Sequence, residues 1–334
     1  MMITLKEAIE REYQERMNYD PTKAVTYGVQ CLDHALRFIL PNELVVIGAD
    51  TGVGKSELAI HIARSNAKVG KKVNLYYLEG GEIEFVRRFK WGDFLNAYYT
   101  KYTQHIEYAD WVTNQIPANI INDIELNILP KQYEEAYGDR LSIHPMSNTF
   151  NIDDVHLSLA DSLLEGVTDK RKMFGVDLIV IDHLHYFNMD EIPGPNEIAK
   201  LNTILIKCKT IADLHHIPVV LVSHLRKKSK ERGIPDNEDF HGSSEITKKS
   251  STSIIIAPGF RKDSNSTLIY PTYFRITKSR MGIKSNYVIM NDYDLRTRSY
   301  ATNYEVYPIN DKGFVAGEPF KKHEMPQWAR RHIV

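Results

Sequence analysis

Residues 48–65 read GADTGVGKSELAIHIARS, and the predicted fold is built around this stretch. The residues before the turn, ELVVIGA over 43–49, form a short apolar run that predicts a buried strand. After the turn, Leu58, Ile62 and Ala63 recur at helical spacing. The glycines therefore lie between a strand and a helix, where backbone N–H groups and the positive end of the helix dipole attract an anion.

This turn matches three of the four defining positions of the phosphate-binding P-loop, G-x-x-x-x-G-K-[ST]. Gly54, Lys55 and Ser56 match, and Ala49 replaces the first glycine. We expect Lys55 to reach the β- and γ-phosphates of a nucleotide and the Ser56 hydroxyl to bind Mg²⁺. The predicted nucleotide-binding residues are Ala49, Asp50, Thr51, Gly52, Val53, Gly54, Lys55 and Ser56.

Composition limits the possible partners and compartments. Among 334 residues, 42 Lys and Arg nearly cancel 43 Asp and Glu, so the protein is not a general polyanion binder. Any contact with nucleic acid must come from a local patch or from charge concentrated by assembly. Cys31 and Cys208 lack metal-ligand spacing, which argues against a disulfide scaffold or zinc site. No signal peptide or long apolar run is evident, so we expect a cytoplasmic protein without membrane contact.

Strand and helix patterns alternate from about residue 25 onward. Near-continuous apolar runs predict parallel strands that are covered on both faces, namely ELVVIGA, KKVNLYYLE, GVDLIVIDHLH and IPVVLVSHL. Helical patterns separate these runs, and later runs predict further strands that end in a hairpin or meander. The fold class is therefore α/β, with a mostly parallel sheet flanked by helices.

The chain divides into three predicted parts: an N-terminal linker helix and arm (1–24), a core domain (25–310) and a C-terminal tail (311–334). Aromatic residues over about 91–150 predict an ordered, mostly helical insertion within the core. The linker helix begins at a capping-box pair, Thr4 and Glu7, and carries a thin apolar stripe. This stripe packs either on its own domain or on a neighbouring subunit. The tail is either a docking segment or a peripheral helix.

Polar residues at the ends of three predicted strands supply candidates for nucleotide chemistry. Asp182 ends LIVID, as expected of a Walker B carboxylate that binds Mg²⁺. Glu79 ends a second strand, where a carboxylate can take a proton from the water that attacks the γ-phosphorus. His224 ends a third and is placed to sense the γ-phosphate. Because the carboxyl ends of parallel strands face one crevice, we expect all three beside the P-loop.

Two basic segments follow the sensor strand. RKKSKERG over 226–233 either contacts nucleic-acid phosphates or forms a solvated face, and FHGSSE after it offers backbone N–H groups. The candidate DNA-binding residues are Arg226, Lys227, Lys228, His241, Gly242 and Ser243. Farther along, Lys278 and Arg280 alternate on one side of a predicted edge strand. Such cations need anionic partners, and a nucleotide bound by the neighbouring subunit would supply one. The alternative is a surface strand whose cations form salt bridges.

The order of these motifs resembles the RecA-like motor domain of DnaB-type hexameric replicative helicases, over residues 25–300. GADTGVGKS is similar to the family's P-loop, YYLEGG to its catalytic-glutamate strand, and LIVIDHLH to its Walker B segment. VVLVSHLRK resembles its sensor strand, and TKSRMG its K-x-R-x-G segment of trans-acting cations. His241 stands where arginine is common in the family, and the residues after it are unusually basic.

The resemblance implies an ATP- and Mg²⁺-dependent ring helicase that moves along single-stranded DNA, with itself as homo-hexamer partner and a primase or helicase loader as further partner. A phage-encoded protein acting in the host cytoplasm fits the short linker. Two alternatives stay open. One is a RecA-like recombination or annealing mediator that coats DNA, and the other is a KaiC-like regulatory ATPase that binds a protein.

Overall fold

The computed structural model describes residues 3–145, 151–159, 163–164, 174–190, 192–226, 233–240, 243–260, 268–280, 282–283, 286–295 and 297–331. The strands of this part are β1 (Leu44–Ala49), β2 (Val73–Tyr77), β3 (Leu141–Pro145), β4 (Leu178–Asp182), β5 (Val219–His224), β6 (Thr252–Pro258), β7 (Ile269–Ser279), β8 (Tyr287–Asp294) and β9 (Ser299–Pro308). They form a single sheet in the order β3-β2-β4-β5-β1-β6-β7-β8-β9.

The helices cover both faces of this sheet and extend beyond it. They are α1 (Leu5–Met17), α2 (Gln30–Leu36), α3 (Lys55–Lys68), α4 (Glu82–Tyr99), α5 (Tyr108–Val112), α6 (Ala118–Asn122), α7 (Leu129–Ala136), α8 (Ile152–Ser158), α9 (Glu197–His215), α10 (Ser243–Lys249) and α11 (Gln327–Arg330). A π-helical turn, Asp123–Ile128, joins α6 to α7, and a 3₁₀ turn, Leu184–Tyr186, follows β4.

Six strands from β3 to β6 run parallel, and β7 to β9 form an antiparallel meander beside them. Every residue of β1 is buried, because Val45 and Ile47 face one apolar core while Leu44 and Val46 face the other. Burial on both faces explains why the parallel strands read as continuous apolar runs. The predicted α/β fold with a mostly parallel sheet is confirmed.

The segment predicted as a helical insertion over about 91–150 has different bounds in the structure. α4 begins at Glu82, and the helical part with its own apolar core around Trp91, Phe94 and Trp111 ends with α7. Leu141–Pro145 then form β3, a strand of the main sheet that pairs with β2. The prediction of a mostly helical insertion to about residue 150 was wrong at this point, because the residues of β3 are exposed or half-buried and lack an apolar run.

The predicted edge position of the strand that carries Lys278 was also wrong. β7 lies between β6 and β8, although its pairing with β8 extends only from Ile269 to Phe274. Within the described part of the sheet, its last residues therefore pair only with β6. The misassignment arose because the pairing partner, β8, follows in sequence and its register cannot be read from the strand pattern.

The two terminal segments differ in how they pack. α1 has the predicted capping box but no buried residue, and its apolar stripe is exposed. α11 instead packs on the body of the protein, where Ala329 is fully buried and the Trp328 indole N–H donates to the Tyr287 hydroxyl at 2.8 Å. Among the residues that the structure describes, no helix is both long and apolar enough to cross a membrane.

Candidate nucleotide-binding site

The P-loop connects β1 to α3 through a backbone conformation that glycine tolerates best. Gly52 and Gly54 have φ angles of +82° and +92°, and a Cβ atom at either position would meet nothing within 4 Å. The requirement for glycine here is therefore one of backbone conformation and not of space. Ala49, at the first motif position, is fully buried at the end of β1, where its small side chain fits.

The phosphate-binding side chains of the P-loop lie beside the predicted catalytic glutamate. The Ser56 hydroxyl donates to the Glu79 carboxylate at 3.0 Å, and the Lys55 ammonium lies 3.4 Å from the same oxygen. Lys55 is 4% exposed, whereas the Glu79 side chain is 27% exposed. The carboxylate is thus open to water on one side and anchored to the phosphate-binding loop on the other.

Asp182 completes this group from the end of β4. It is fully buried, and neither of its carboxylate oxygens has a hydrogen-bond partner among the described residues. Burial raises the pKa of Asp182 to about 7, an effect that the nearby Ser56 hydroxyl and Lys55 ammonium only partly offset. A buried, unpartnered carboxylate beside a serine hydroxyl suits a divalent cation, because Mg²⁺ binds one or two such oxygens together with nucleotide phosphates.

His224 ends β5, the strand that lies between β1 and β4. Burial lowers the pKa of His224, and the Lys55 ammonium acts in the same direction. Its ring packs against the buried ring of His183, with ring centroids 3.9 Å apart and planes tilted by 50°. His183 follows Asp182 directly, and the sequence favours a supporting or surface position for it over a direct role; the structure places its ring in the interior.

A cavity of about 700 Å³ opens beside the P-loop, and its lining extends beyond the predicted nucleotide-binding residues. Its additional lining comes from α3, α4, α5, β6 and the meander, and consists of Glu57, Glu84, Arg88, Tyr108, Pro258, Tyr270, Pro271, Thr272, Tyr293, Leu295, Arg298 and Tyr300. Several of these are aromatic or apolar, so the cavity joins a phosphate-binding end to an apolar one. Such a combination fits a nucleotide, which has both kinds of surface.

Sequence reasoning missed the ion pair that links the P-loop helix to the meander. The Arg298 guanidinium donates to Glu57, the residue after Ser56, at 2.5 Å, and the Tyr293 hydroxyl donates to the other carboxylate oxygen at 2.9 Å. Both charged side chains are 13% exposed. The two residues are 241 positions apart in sequence, so no local pattern indicated this contact.

Lys278 and Arg280 lie near the amino ends of the parallel strands, whereas this cavity lies at their carboxyl ends. β7 is antiparallel to β6, so its carboxyl end lies beside the amino ends of the parallel strands, where Lys278 pairs with Ser253. The Lys278 ammonium donates to the carbonyls of Thr247 and Ser250 at 2.5 Å and so caps α10. Arg280 is exposed beyond β7. The length of β1 separates it from its own P-loop by roughly 20 Å.

The predicted DNA-binding residues are only partly described. Lys227, Lys228, His241 and Gly242 lie outside the described residues, and of Ser243 only the backbone, which begins α10, is described. Arg226 is exposed, and its backbone N–H donates to the Asp239 carbonyl at 2.7 Å. Leu225 and Phe240 form an isolated antiparallel bridge, so both ends of the basic loop are held next to His224.

The fold and this cavity define the class of the protein: a P-loop NTPase with a RecA-like sheet, in which strand ends bring carboxylates to the phosphate-binding loop. Residues 24–295 match the family described as the DnaB-like helicase C terminal domain. The chain belongs to this family, and it is an ATP-hydrolysing DNA helicase of the replicative type. Members of the family bind single-stranded DNA and form hexamers.

Solved structures agree with this assignment at the level of the fold. One solved ATPase domain superposes with a TM-score of 0.67 at 16% identity, covering 91% of this chain and 100% of that one. A DnaB-like replicative helicase, studied with its primase interactions, superposes with a TM-score of 0.64 at 16% identity, covering 90% of this chain and 67% of that one. No curated protein sequence matches the chain.

Proposed function

We propose that the cavity beside the P-loop binds ATP with Mg²⁺ and that its hydrolysis drives the protein along single-stranded DNA during replication. The observation that carries this proposal is the convergence of Lys55, Ser56, Glu79 and Asp182 at one edge of the sheet, with His224 on the neighbouring strand. Each of these groups has a distinct task in phosphoryl transfer, and together they reach the site from four different elements of the fold.

Lys55 pairs with the β- and γ-phosphates, where its buried ammonium offsets negative charge. Ser56 and Asp182 hold the cation, which when bound neutralises charge on the phosphate oxygens. Glu79 takes the proton of the attacking water while the bond between the γ-phosphorus and its bridging oxygen breaks. The exposed side of the Glu79 carboxylate supports this role, because the attacking water must reach it from the cavity.

His224 senses the γ-phosphate and transmits its presence to the loop that follows β5. The bridge between Leu225 and Phe240 supports this role, since it fixes the basic loop at the sensor. Phosphate contacts by Arg226, Lys227, Lys228, His241, Gly242 and Ser243 would then change with nucleotide state. Six copies of the loop around a central channel would concentrate positive charge that a protomer of net charge -1 lacks.

Arg280 acts on the nucleotide of the neighbouring subunit. Its position at the amino ends of the parallel strands supports this, because the length of β1 separates it from its own P-loop. Lys278 was predicted to act with Arg280. We retain that role for Lys278 but place it after that of Arg280, because the Lys278 ammonium already caps α10. The proposed further partner is a primase or a helicase loader. The proposed place of action is the cytoplasm of a phage-infected host.

Unwinding of a forked duplex tests this function directly. We expect ATP- and Mg²⁺-dependent unwinding and an ATPase rate that single-stranded DNA stimulates. Glu79→Gln should bind ATP and DNA yet hydrolyse ATP about 10²-fold or more slowly, because only the proton acceptor is lost. Unwinding by Glu79→Gln at the wild-type rate would remove Glu79 from its role. DNA-stimulated hydrolysis by the wild type without unwinding would favour a coating protein instead.

A further inference from the structure

Four aromatic side chains form a compact ring cluster where β4 and β5 end. His183 is fully buried, and its ring contacts the rings of His224, Tyr186 and His185; the ring centroids of His185 and His224 also lie 5.7 Å apart. The His183 ring centroid is 3.9 Å from that of His224, 5.5 Å from Tyr186 and 5.2 Å from His185. The cluster thus joins the residue after Asp182 to the candidate sensor.

Contacts within its own segment hold the His183 ring. Its Nδ1 accepts a hydrogen bond from the backbone N–H of His185 at 3.2 Å, within the 3₁₀ turn Leu184–Tyr186. The Tyr186 ring meets it edge-on at 89°. A ring held on these sides by its local segment presents a fixed face to His224, which is itself only partly buried.

This packing has a consequence for the rotamer of His224. A half-exposed histidine at the end of a strand has several accessible side-chain rotamers, and a flat ring held against it selects among them. Because aromatic rings pack in preferred relative orientations, this contact favours one His224 rotamer over the others. A leucine of similar volume would fill the space without presenting a flat face.

We propose that His183 is a positioning residue that holds His224 in its sensing orientation through ring packing, and that it ties the turn after β4 to the sensor. This inference rests on the proposed role of His224 as the sensor of the γ-phosphate. Through His183, the metal-binding strand β4 and the sensor strand β5 respond to the nucleotide together. The segments that follow both strands therefore change with nucleotide state, and not only the basic loop after β5.

A matched pair of substitutions tests the packing, with affinity for single-stranded DNA as the readout. His183→Phe keeps a planar ring, whereas His183→Leu fills a similar volume without one, and thermal unfolding verifies that both are folded. The measured quantity is the ratio of DNA affinities with a nonhydrolysable ATP analogue and with ADP, expected to be about tenfold or more in the wild type. His183→Phe should keep this ratio within about twofold, and His183→Leu should reduce it toward that of His224→Ala.

A double-mutant cycle shows whether His183 acts through His224. Combining His183→Leu with His224→Ala should give the same ratio as His224→Ala alone, within about twofold, because the sensor is already absent. Losses that multiply in the double variant would overturn the proposal, as would equal ratios in the Phe and Leu variants. A wild-type ratio near one would instead contradict the proposed function itself, so the two failures are distinguishable.

Discussion

At the scale of single residues, the site buries the carboxyl group of Asp182, and its ionisation lowers the stability of the folded protein. Asp182 is buried without a hydrogen-bond partner among the described residues, and its pKa is raised from 3.8 to about 7. The unfolded chain releases the proton near pH 4 and the folded protein only near pH 7. Ionisation of Asp182 therefore disfavours folding increasingly as the pH rises between these values. A bound cation would offset the penalty.

Asp182→Asn should consequently stabilise the protein while removing its activity. In Mg²⁺-free buffer at pH 8, we expect its free energy of unfolding to exceed that of the wild type by about 1–2 kcal/mol, since the buried charge is gone. The difference should shrink as the pH falls from about 7 toward 4, where the wild-type carboxyl is protonated in the folded state. Urea unfolding measures both. A variant less stable than the wild type at pH 8 would contradict the raised pKa.

At the scale of secondary-structure elements, α4 and the turn between β8 and β9 are fitted closely to each other. A Cβ atom on Gly92 would lie 2.6 Å from the backbone carbonyl oxygen of Thr297. The next residue, Arg298, has a φ of +51° and donates to Glu57 beside the P-loop. The close approach of α4 thus supports a turn whose arginine lines the nucleotide cavity.

Gly92→Ala separates helix propensity from this contact. Propensity alone predicts that alanine in mid-helix stabilises by about 1 kcal/mol, whereas the contact predicts a loss of about 1–3 kcal/mol, because backbone must move. We expect the loss, measured by urea unfolding. Asn96→Ala, at an exposed position of the same helix, is the control and should be neutral or slightly stabilising. Stabilisation by Gly92→Ala would show that the turn yields without cost.

Local patterns predicted the parts of the site that depend on neighbouring residues. The P-loop, the buried strands and the polar residues at their ends all follow from short stretches, so Lys55, Ser56, Glu79, Asp182 and His224 could be named as candidate site residues without the fold. The contact between Glu57 and Arg298 was not, because it depends on the order of strands across the sheet. The same reason explains why β7 was misplaced at an edge, whereas β3 was missed because Leu141–Pro145 lack an apolar run.

At the scale of the whole molecule, the topology places the nucleotide cavity and Arg280 on two different surfaces of each protomer. The nucleotide cavity lies at the carboxyl ends of the parallel strands, and Arg280 lies at their amino ends. If Arg280 reaches the nucleotide of the neighbouring copy, the amino ends of one copy's strands meet the cavity of the next, and the contact is heterologous. The exposed stripe of α1, with Leu5 and Ile9 76% and 58% exposed, offers a second surface for a neighbouring copy.

Ile9→Asp should therefore weaken assembly of the ring. We expect a lower hexamer fraction at a given protein concentration with nucleotide bound, because a buried aspartate without a partner is costly in an apolar interface. Gln14→Asp adds the same charge elsewhere on α1 and serves as the matched control. Mass photometry with a nonhydrolysable ATP analogue measures the distribution. Equal hexamer fractions for both variants would show that the stripe takes no part in assembly.

The proposed mechanism depends above all on hydrolysis of ATP between two copies, with Lys55 from one and Arg280 from the next. Lys55→Ala and Arg280→Ala should each lower the ATPase rate severely, by about 10³-fold for the arginine. Hydrolysis should return when the two variants are mixed and reassembled, because some pairs of neighbours then combine an intact Lys55 with an intact Arg280. Random mixing predicts about a quarter of the wild-type rate if the sites work independently. Mixed rings that stay inactive, or wild-type hydrolysis by Arg280→Ala alone, would rule out the shared site.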